Sequence, residues 1–310
     1  MLDGIKIHRI PFYLIFRYNV GIGILSLLKK LKPDVVHIHG IGFISDLAPL
    51  IKLFTKKIIL TTLGGIFHTS YIKFFKNLYF NSFTKFSMMF IDKILAISKQ
   101  DALTFSKISS PSKISIITPG IHWKDLCKVR RNSNGATLLY LGRLSKNKRL
   151  DRMINVLYHL KQKLPQVKLM IVGKDWGEKR KLTKLISKLN LTQNIKFTGA
   201  VPDAKEYYSK SDLFLLSSEY EGFGISVLEA MATGLPVIVS NIETMKELVE
   251  NDKNGYLVNF DDYSAVADII YKLLNDKNKY KKLSYHCKQF SRKFDWAQIF
   301  KKTEATYLSV

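Results

Sequence analysis

The chain has 310 residues, 46% hydrophobic and 24% charged, and is long enough to bury a sizeable core in one to three domains. Its 49 Lys and Arg against 25 Asp and Glu give a formal net charge of +24, which favours anionic partners. The lysines are dispersed and no nucleic-acid-binding signature is present, so we exclude specific nucleic-acid recognition and expect an acidic membrane surface instead. The cysteines Cys127 and Cys287 have no metal-binding or redox spacing. With no secretory signal and no membrane-spanning apolar run, these features predict a cytoplasmic protein, peripheral on the inner face of the membrane.

Short β-rich runs alternate with helical patterns through the first part of the chain. The patterns predict a strand over residues 5–10 and a helix over residues 14–31 that has lysines in its last turn. Further β-rich runs lie at residues 34–39, 57–62, 93–97 and 113–118. Strands alternating with helices predict a parallel sheet covered on both faces.

Two patterns in this part of the chain suggest ligand sites. Gly21 and Gly23 form a G-x-G pair that lacks the third glycine and the preceding strand of a dinucleotide fingerprint, so we reject that site. Asp34, His37 and His39 are possible metal ligands, but on a strand Asp34 faces away from both histidines. We therefore expect no metal and interpret His39 as facing a crevice at the carboxyl end of a parallel strand.

Residues 71–90 are rich in aromatic side chains, with Lys73, Lys76 and Lys85 among them. Helical spacing puts several of the aromatic residues near one apolar stripe. Two interpretations are open: a core helix of a first domain, or a helix that lies in a membrane interface.

The alternation begins again after a polar segment at residues 124–135, which we interpret as a linker between two domains. A strand at residues 137–141 is followed by Gly142, Arg143 and Lys148. This group suits a diphosphate, because the glycine lets the diphosphate approach the backbone and the two cations neutralise its charge. The alternative is that Arg143 and Lys148 are ordinary solvated basic residues. Two more strands are predicted at residues 168–173 and 195–199.

The most informative segment is residues 213–241, which reads as strand, turn, helix, turn and strand. Glu221 precedes the helix and Glu229 lies about two turns along it, which separates them by roughly 10–12 Å. The catalytic carboxylates of glycoside hydrolases lie closer, about 5–9.5 Å apart. Gly222 and Gly224 expose amides at a helix N-terminus, where phosphate binds readily. Together these features suggest a sugar nucleotide as the ligand. The alternative is that Glu221 only caps the helix and Glu229 is a solvated helix position.

The string EGFGISVLEAMATGLPVI at residues 221–238 resembles the E-x7-E signature of retaining GT-B glycosyltransferases, glycosyltransferase group 1 (family 4). Weaker matches extend this resemblance over residues 35–300. It implies an α/β architecture of two doubly wound Rossmann-like parallel-sheet domains that face a cleft. We expect an acceptor-side domain at residues 1–130 and a donor-binding domain at residues 131–310, whose last helix crosses back.

The resemblance also implies roles for individual residues. Glu229 would bind the ribose hydroxyls, and Glu221 would hold a sugar hydroxyl near the reacting carbon. Residues 142–149 resemble the family's G-R-L-x-x-x-K-G, with Arg149 in place of the last glycine, and put Arg143 and Lys148 on the diphosphate. The implied catalytic residues are Glu221, Arg143 and Lys148. The implied donor-binding residues are Glu229, Gly222, Phe223, Gly224, Ile225, Gly142 and Val201, the last of them beside the base.

The acceptor side departs further from the family pattern. Residues 61–69 resemble its T-x-H-G loop, but Leu63 takes the place of the histidine. The possible acceptor-side residues are His39, Gly64, Gly65 and His68. The chain also opens after the family's first strand and glycine-rich loop, so we expect a shortened first domain.

The activity implied is retaining transfer of a sugar from a nucleotide sugar to a glycan or lipid-linked acceptor in cell envelope polysaccharide biosynthesis. We expect neither a metal nor a cofactor. One alternative is a catalytically impaired GT-B remnant that binds nucleotide sugar or membrane without turnover. Another is a different GT-B enzyme, such as an epimerase or a phosphorylase.

Overall fold

In the computed structural model, residues 4–15, 18–21, 23–64, 73–133 and 135–310 are described. They form two compact units, one of residues 1–117 with 303–310 and the other of residues 118–302. The domain boundary near residue 130 stays a prediction. Of the described helices, none has the length and apolar character needed to cross a membrane.

The first unit contains a parallel sheet of four strands in the order β3-β4-β5-β6, and a separate antiparallel pair, β1-β2. Its strands are β1 (Phe12–Ile15), β2 (Tyr18–Gly21), β3 (Val35–His39), β4 (Lys57–Thr61), β5 (Lys93–Ala96) and β6 (Ile114–Ile116). Its helices are α1 (Ile24–Leu31), α2 (Phe43–Asp46), α3 (Ala48–Ile51), α4 (Lys73–Tyr79), α5 (Lys85–Met88) and α6 (Lys99–Phe105), with a π-helical turn at Phe80–Thr84 and a 3-10 turn at Pro111–Lys113.

The first thirty residues differ from the sequence prediction. The strand predicted over residues 5–10 is wrong, because residues 6–11 form no regular element and Ile7 is 53% exposed. The helix predicted over residues 14–31 begins only at Ile24, since β1 and β2 pair with each other before it. Aromatic and β-branched residues favour strands, and that preference prevails here over the helical spacing. The predicted lysines Lys29 and Lys30 do lie in the last turn of α1.

The core of the first unit lies between its sheet and its helices. Ile58 and Leu60 of β4 and Ile94 of β5 are fully buried, as expected for strands covered on both faces. Phe80, in the π-helical turn between α4 and α5, and Met88, the last residue of α5, pack into the same core. The aromatic segment therefore contributes core residues on one side, while its other side is exposed.

The second unit contains a six-stranded parallel sheet in the order β12-β11-β10-β7-β8-β9. Its strands are β7 (Thr137–Leu141), β8 (Lys168–Val172), β9 (Ile195–Gly199), β10 (Leu213–Leu216), β11 (Val237–Ser240) and β12 (Gly255–Val258). Its helices are α7 (Trp123–Leu126), α8 (Leu150–Lys163), α9 (Lys179–Lys188), α10 (Lys205–Ser209), α11 (Ile225–Thr233), α12 (Glu243–Lys246), α13 (Tyr263–Asn275), α14 (Lys277–Ser291) and the start of α15 (Trp296–Leu308), with 3-10 turns at Lys146–Lys148 and Arg292–Phe294.

The predicted central segment is confirmed as β10, α11 and β11. Every residue of both strands is buried, which explains why each is a continuous apolar run rather than an alternating one. Gly224 caps the start of α11 and Gly234 caps its end, both in the left-handed conformation. These two glycines fix where α11 starts and stops beside the sheet.

Candidate active site

The sheet of the second unit has a topological switch point at its centre. From β7 the chain adds β8 and β9 on one side, and then returns to add β10 next to β7 on the other. Ligands of open α/β sheets bind outside the carboxyl ends of the strands at such a point. Arg143 and Lys148 follow β7 and Glu221 follows β10, so the three predicted catalytic residues come after the carboxyl ends of these two strands.

A pocket of about 680 Å³ opens beside this edge of the sheet. It is lined by the loops that follow β7, β8 and β9, by α7 and by one side chain of α11. Four predicted donor-site residues line it, namely Gly142, Arg143, Val201 and Glu229. The sequence also predicted Glu221, Lys148 and residues 222–225 for the donor site, and these do not line the pocket.

Glu229 reaches the pocket from α11 and is held there by a buried tyrosine. The Tyr208 hydroxyl donates a hydrogen bond of 2.9 Å to Oε2 of Glu229. Burial raises the pKa of Glu229 above its usual value, although the bond from Tyr208 opposes this. Burial and the nearby Glu229 carboxylate also raise the pKa of Tyr208, so its hydroxyl stays protonated and donates. The second carboxylate oxygen can still accept a hydrogen bond from a ligand.

Arg143 is positioned by stacking rather than by an ion pair. Its guanidinium carbon lies 4.7 Å from the ring centroid of Trp176, in the loop after β8, and its carbonyl accepts a 2.8 Å bond from the Tyr140 hydroxyl. No carboxylate in the described part of the chain pairs with Arg143. Its charge is therefore directed to the pocket without being neutralised by the protein.

The two other predicted catalytic residues contact each other directly. Lys148 Nζ lies 2.6 Å from Oε1 of Glu221, and their side chains are only 12% and 11% exposed. Ser218 donates a second hydrogen bond of 2.7 Å to the same oxygen, and Thr244 donates one of 2.9 Å to the Glu221 carbonyl. Because a mostly buried carboxylate is costly without such partners, these contacts fix the Glu221 side chain in one position.

The turn before α11 has the backbone geometry of an anion site. Gly224 has a φ of +98°, a left-handed conformation that favours glycine, and a Cβ there would also have to displace Cε of Met245, 2.6 Å away. The amides of residues 222–225 meet no acceptor among the described residues. They belong to the positive end of the helix dipole, which favours phosphate.

Arg149 stands where the family pattern has glycine, and its backbone conformation explains why the pattern has glycine there. Its φ is +47°, in the left-handed region that glycine adopts without cost, and it caps the start of α8. Its side chain forms ion pairs with Asp151, at 2.9 Å, and with Glu219. These contacts offset the backbone strain, which is about 1–2 kcal/mol for a residue with a Cβ.

The predicted acceptor-side residues belong to the first unit. His39 is exposed at the carboxyl end of β3, and its ring lies 4.1 Å from that of His37. His37 bonds to Thr61 at 2.7 Å and also to Tyr307, and burial followed by the proximity of His39 lowers its pKa to about 4. Gly64 has a positive φ, whereas Gly65 and His68 lie outside the described residues. Leu63, in the place of the family's histidine, is 56% exposed.

Several pocket residues were not predicted from the sequence. Five of them line the pocket, namely His122, Asp125, Lys174, Lys205 and Tyr208. A sixth, Trp176, does not line the pocket but stacks on Arg143, which does. The sequence carries no signal for Tyr208, since its partner Glu229 comes 21 residues later and on another helix.

The architecture defines the class of protein. The chain superposes on Anabaena HepE, solved in complex with UDP, with a TM-score of 0.78 and 21% identity, over 92% of this chain and 81% of that one. Two parallel-sheet α/β units of this kind are the GT-B fold of glycosyltransferases, as the sequence predicted.

The family follows from the sequence comparisons. A model of glycosyl transferases group 1 matches residues 123–290. The GDP-mannose:cellobiosyl-diphosphopolyprenol alpha-mannosyltransferase of Xanthomonas campestris is 31% identical over 281 residues, 89% of this chain and 73% of that protein. Its counterpart in Xanthomonas oryzae pv. oryzae is 29% identical over 302 residues, 96% of this chain and 79% of that protein. The chain belongs to the group 1 glycosyltransferases.

Proposed function

We propose that the protein transfers mannose from GDP-mannose to a saccharide carried on a polyprenyl diphosphate, with retention of configuration and without a metal. The observation that carries the donor assignment is the pocket in which Arg143 and Glu229 face the same space. A cation for a diphosphate and a carboxylate for hydroxyls are the two groups that a nucleotide sugar requires. Sequence relatives of 29–31% identity support GDP-mannose and a lipid-linked acceptor.

In this proposal each contact has a defined role. Glu229 accepts hydrogen bonds from the ribose hydroxyls, and the segment around Val201 contacts the base. Arg143, Lys148 and the amides of residues 222–225 stabilise the charge of the departing diphosphate, so that no metal is needed. Glu221, fixed by Lys148 and Ser218, accepts a hydrogen bond from a sugar hydroxyl beside the reacting carbon.

A lipid-linked acceptor would place the protein at a membrane surface. The net charge of +24 is consistent with a cytoplasmic location on the inner face of an acidic membrane. Cell envelope polysaccharide is the product class that the relatives' acceptors suggest.

A second candidate function is nucleotide-sugar binding without turnover. The exposed Leu63, in place of the histidine of the family's T-x-H-G loop, is the observation that favours it. An assay of mannose transfer from labelled GDP-mannose to polyprenyl-diphosphate cellobiose separates the two candidates, because only an active transferase gives a labelled lipid.

Calorimetric titration with GDP, UDP and ADP tests the donor site. We expect GDP to bind most tightly and Glu229→Gln to raise its Kd about 10- to 100-fold, the value of hydrogen bonds to a charged acceptor. Glu250→Gln, at an exposed carboxylate outside the pocket, serves as the matched control and should leave the Kd unchanged. Unaltered GDP affinity in Glu229→Gln would remove the ribose assignment, and tighter UDP binding would exclude GDP-mannose as the donor.

Replacing Tyr208 by phenylalanine should weaken GDP binding through Glu229. The variant loses one hydrogen bond, worth about 0.5–1.5 kcal/mol, so the Kd should rise about 2- to 12-fold. Tyr207→Phe removes the neighbouring hydroxyl, which has no contact with Glu229, and is the control. Equal GDP affinities in the two variants would contradict a positioning role for Tyr208.

A further inference from the structure

A second pocket, of about 380 Å³, opens in the second unit beside the carboxyl ends of β10, β11 and β12. Its described lining consists of residues at and after the ends of these strands, together with Arg152 of α8. None of these residues also lines the larger pocket that contains Arg143 and Glu229. We call it the β10–β12 pocket. Its volume lies at the lower end of the range for small-molecule sites, about 300–1,000 Å³, which suits a small ligand.

The β10–β12 pocket has an apolar part and a polar part. Ile242, Val258 and Phe260 form the apolar part, and Val258 and Phe260 are only 7% and 1% exposed. Because these two side chains belong to the buried core, their positions do not depend on a ligand. All the other side chains of the described lining are polar or charged. Such a pocket suits a ligand that combines apolar groups with many polar ones.

Several polar atoms of the pocket are not used by the protein. Within the described chain, neither the Asn241 amide nor Nδ2 of Asn259 has a hydrogen-bond partner, although Oδ1 of Asn259 accepts a 3.1 Å bond from the Asp261 amide. Oε2 of Glu219 likewise has no donor among the described residues, since Arg149 bonds to Oε1. The free amide groups can donate and the carboxylate oxygen can accept. A ligand that both donates and accepts hydrogen bonds would satisfy them.

The charges around the pocket disfavour an anionic ligand. Arg152 is only 15% exposed, its Nη2 donates a 2.8 Å bond to Oδ2 of Asp261, and its Nε lies 2.8 Å from Oδ1. Arg149 is likewise paired with Asp151 and Glu219. Two arginines and three carboxylates give this group a formal net charge of −1, in a chain whose net charge is +24. Since both guanidinium groups are already paired, the pocket does not attract a phosphate or a uronate.

The β10–β12 pocket adjoins the candidate catalytic carboxylate. Ser218 lines the pocket and donates a 2.7 Å hydrogen bond to Oε1 of Glu221. The Ser218 oxygen keeps its lone pairs, so it can accept a bond from a ligand at the same time. A ligand in this pocket would therefore contact a side chain that fixes the position of Glu221.

We propose that the β10–β12 pocket binds an uncharged saccharide. A saccharide ring is neutral, has hydroxyls that both donate and accept, and has C–H groups that pack on apolar side chains, so it meets all of these requirements. Its hydroxyls bond to Asn241, Asn259 and Glu219, and its C–H groups pack on Ile242 and Phe260. The inference goes beyond the proposed function, since it adds a saccharide site to the unit that carries the proposed donor site. It rests on that function only in the choice of cellobiose as the probe.

The test is a titration of the full chain with cellobiose, followed by saturation-transfer NMR of the saccharide, without donor or lipid. We expect saturable binding. Asn241→Ala/Glu219→Gln removes one amide and neutralises one carboxylate of the pocket, and should raise the Kd about tenfold or more through the loss of two hydrogen bonds. Its matched control is Asn275→Ala/Glu250→Gln, which changes an exposed amide and an exposed, lysine-paired carboxylate outside the pocket.

A charged analogue tests the preference for an uncharged ligand separately. Cellobiouronic acid has the same two rings and one carboxylate, and should bind about fivefold more weakly than cellobiose at low salt, the effect of one like charge at short range in water. The difference should shrink as added salt screens the charges. Nonspecific attraction to the protein's excess of lysines gives the opposite order, so tighter binding of the uronate would overturn the assignment.

Two further outcomes overturn the proposal. Equal cellobiose affinities in Asn241→Ala/Glu219→Gln and its control would show that the saccharide binds elsewhere. No saturable cellobiose binding by the wild type would exclude a saccharide from the pocket. GDP titration of the same variants checks folding and separates the inferences: GDP binding without cellobiose binding refutes only the saccharide site, and the reverse refutes only the donor site.

Discussion

Lys148→Met should lower the rate of sugar transfer about 100- to 1,000-fold. The substitution removes a cation proposed to stabilise the leaving diphosphate, and effects of this size follow the loss of one preorganised charge-stabilising donor. It also leaves the Glu221 carboxylate with Ser218 as its remaining side-chain donor, because the 2.6 Å ion pair is gone. The measurement is the single-turnover rate at saturating GDP-mannose and acceptor.

Controls separate the loss of chemistry from the loss of folding. Lys146→Met removes an exposed lysine of the same 3-10 turn and should retain full activity. An unpaired buried carboxylate costs about 3–5 kcal/mol, so Lys148→Met should also unfold at a lower temperature. Combining it with Glu221→Gln removes that charge and should restore the unfolding temperature but not the rate. Activity of Lys148→Met within threefold of wild type would remove its catalytic assignment.

Gly173→Ala should severely destabilise the second unit. A Cβ at this position would lie 1.8 Å from the carbonyl oxygen of Gly142, and Gly173 has a φ of +147°. Both obstacles are backbone features of the adjoining ends of β7 and β8, so no side chain can move to relieve them. We expect a loss of about 3–5 kcal/mol in the free energy of unfolding and a melting temperature lower by about 10 °C or more.

Gly177→Ala measures separately the loss of unfolding free energy that comes from the positive φ alone. Gly177 also has a positive φ, but a Cβ there would meet no atom within 4 Å. Its replacement should cost only about 1–2 kcal/mol, from the left-handed backbone. Similar melting temperatures for the two alanine variants would contradict the steric argument for Gly173.

The strands of the second unit could be predicted almost residue by residue. β9 is an edge strand of mixed apolar and polar residues that ends at Gly199, whereas β7 and β8 are short, mostly apolar runs that end directly before Gly142 and Gly173, and these glycines punctuate the pattern clearly. Such runs are unambiguous because a strand covered on both faces needs apolar residues throughout. Gly21 and Gly23 also punctuate the start of the chain, but helical spacing continues across them over residues 14–31 and predicts one helix where the structure has the β1-β2 pair followed by α1.

The sequence predicts some residues of the candidate site but not their arrangement. The E-x7-E pattern and the G-R-L string identify Glu221, Glu229, Arg143 and Lys148 by their residue types. The contact between Lys148 and Glu221 joins residues 73 positions apart, and it depends on β10 returning to pair with β7. That crossover is a property of the sheet, and no local pattern encodes it. Tyr208 was missed for the same reason.

The loop after β9 has a consequence for how this protein can diverge. Residues 200–205 line the pocket beside the sheet, yet each of them is exposed or half-exposed and none belongs to the buried core. Substitutions there leave the buried core of the sheet unaltered. Under the proposed function, recognition of the base by this loop can therefore change without altering the buried core, so closely related descendants of one ancestor can acquire different nucleotide preferences without a period of lost stability.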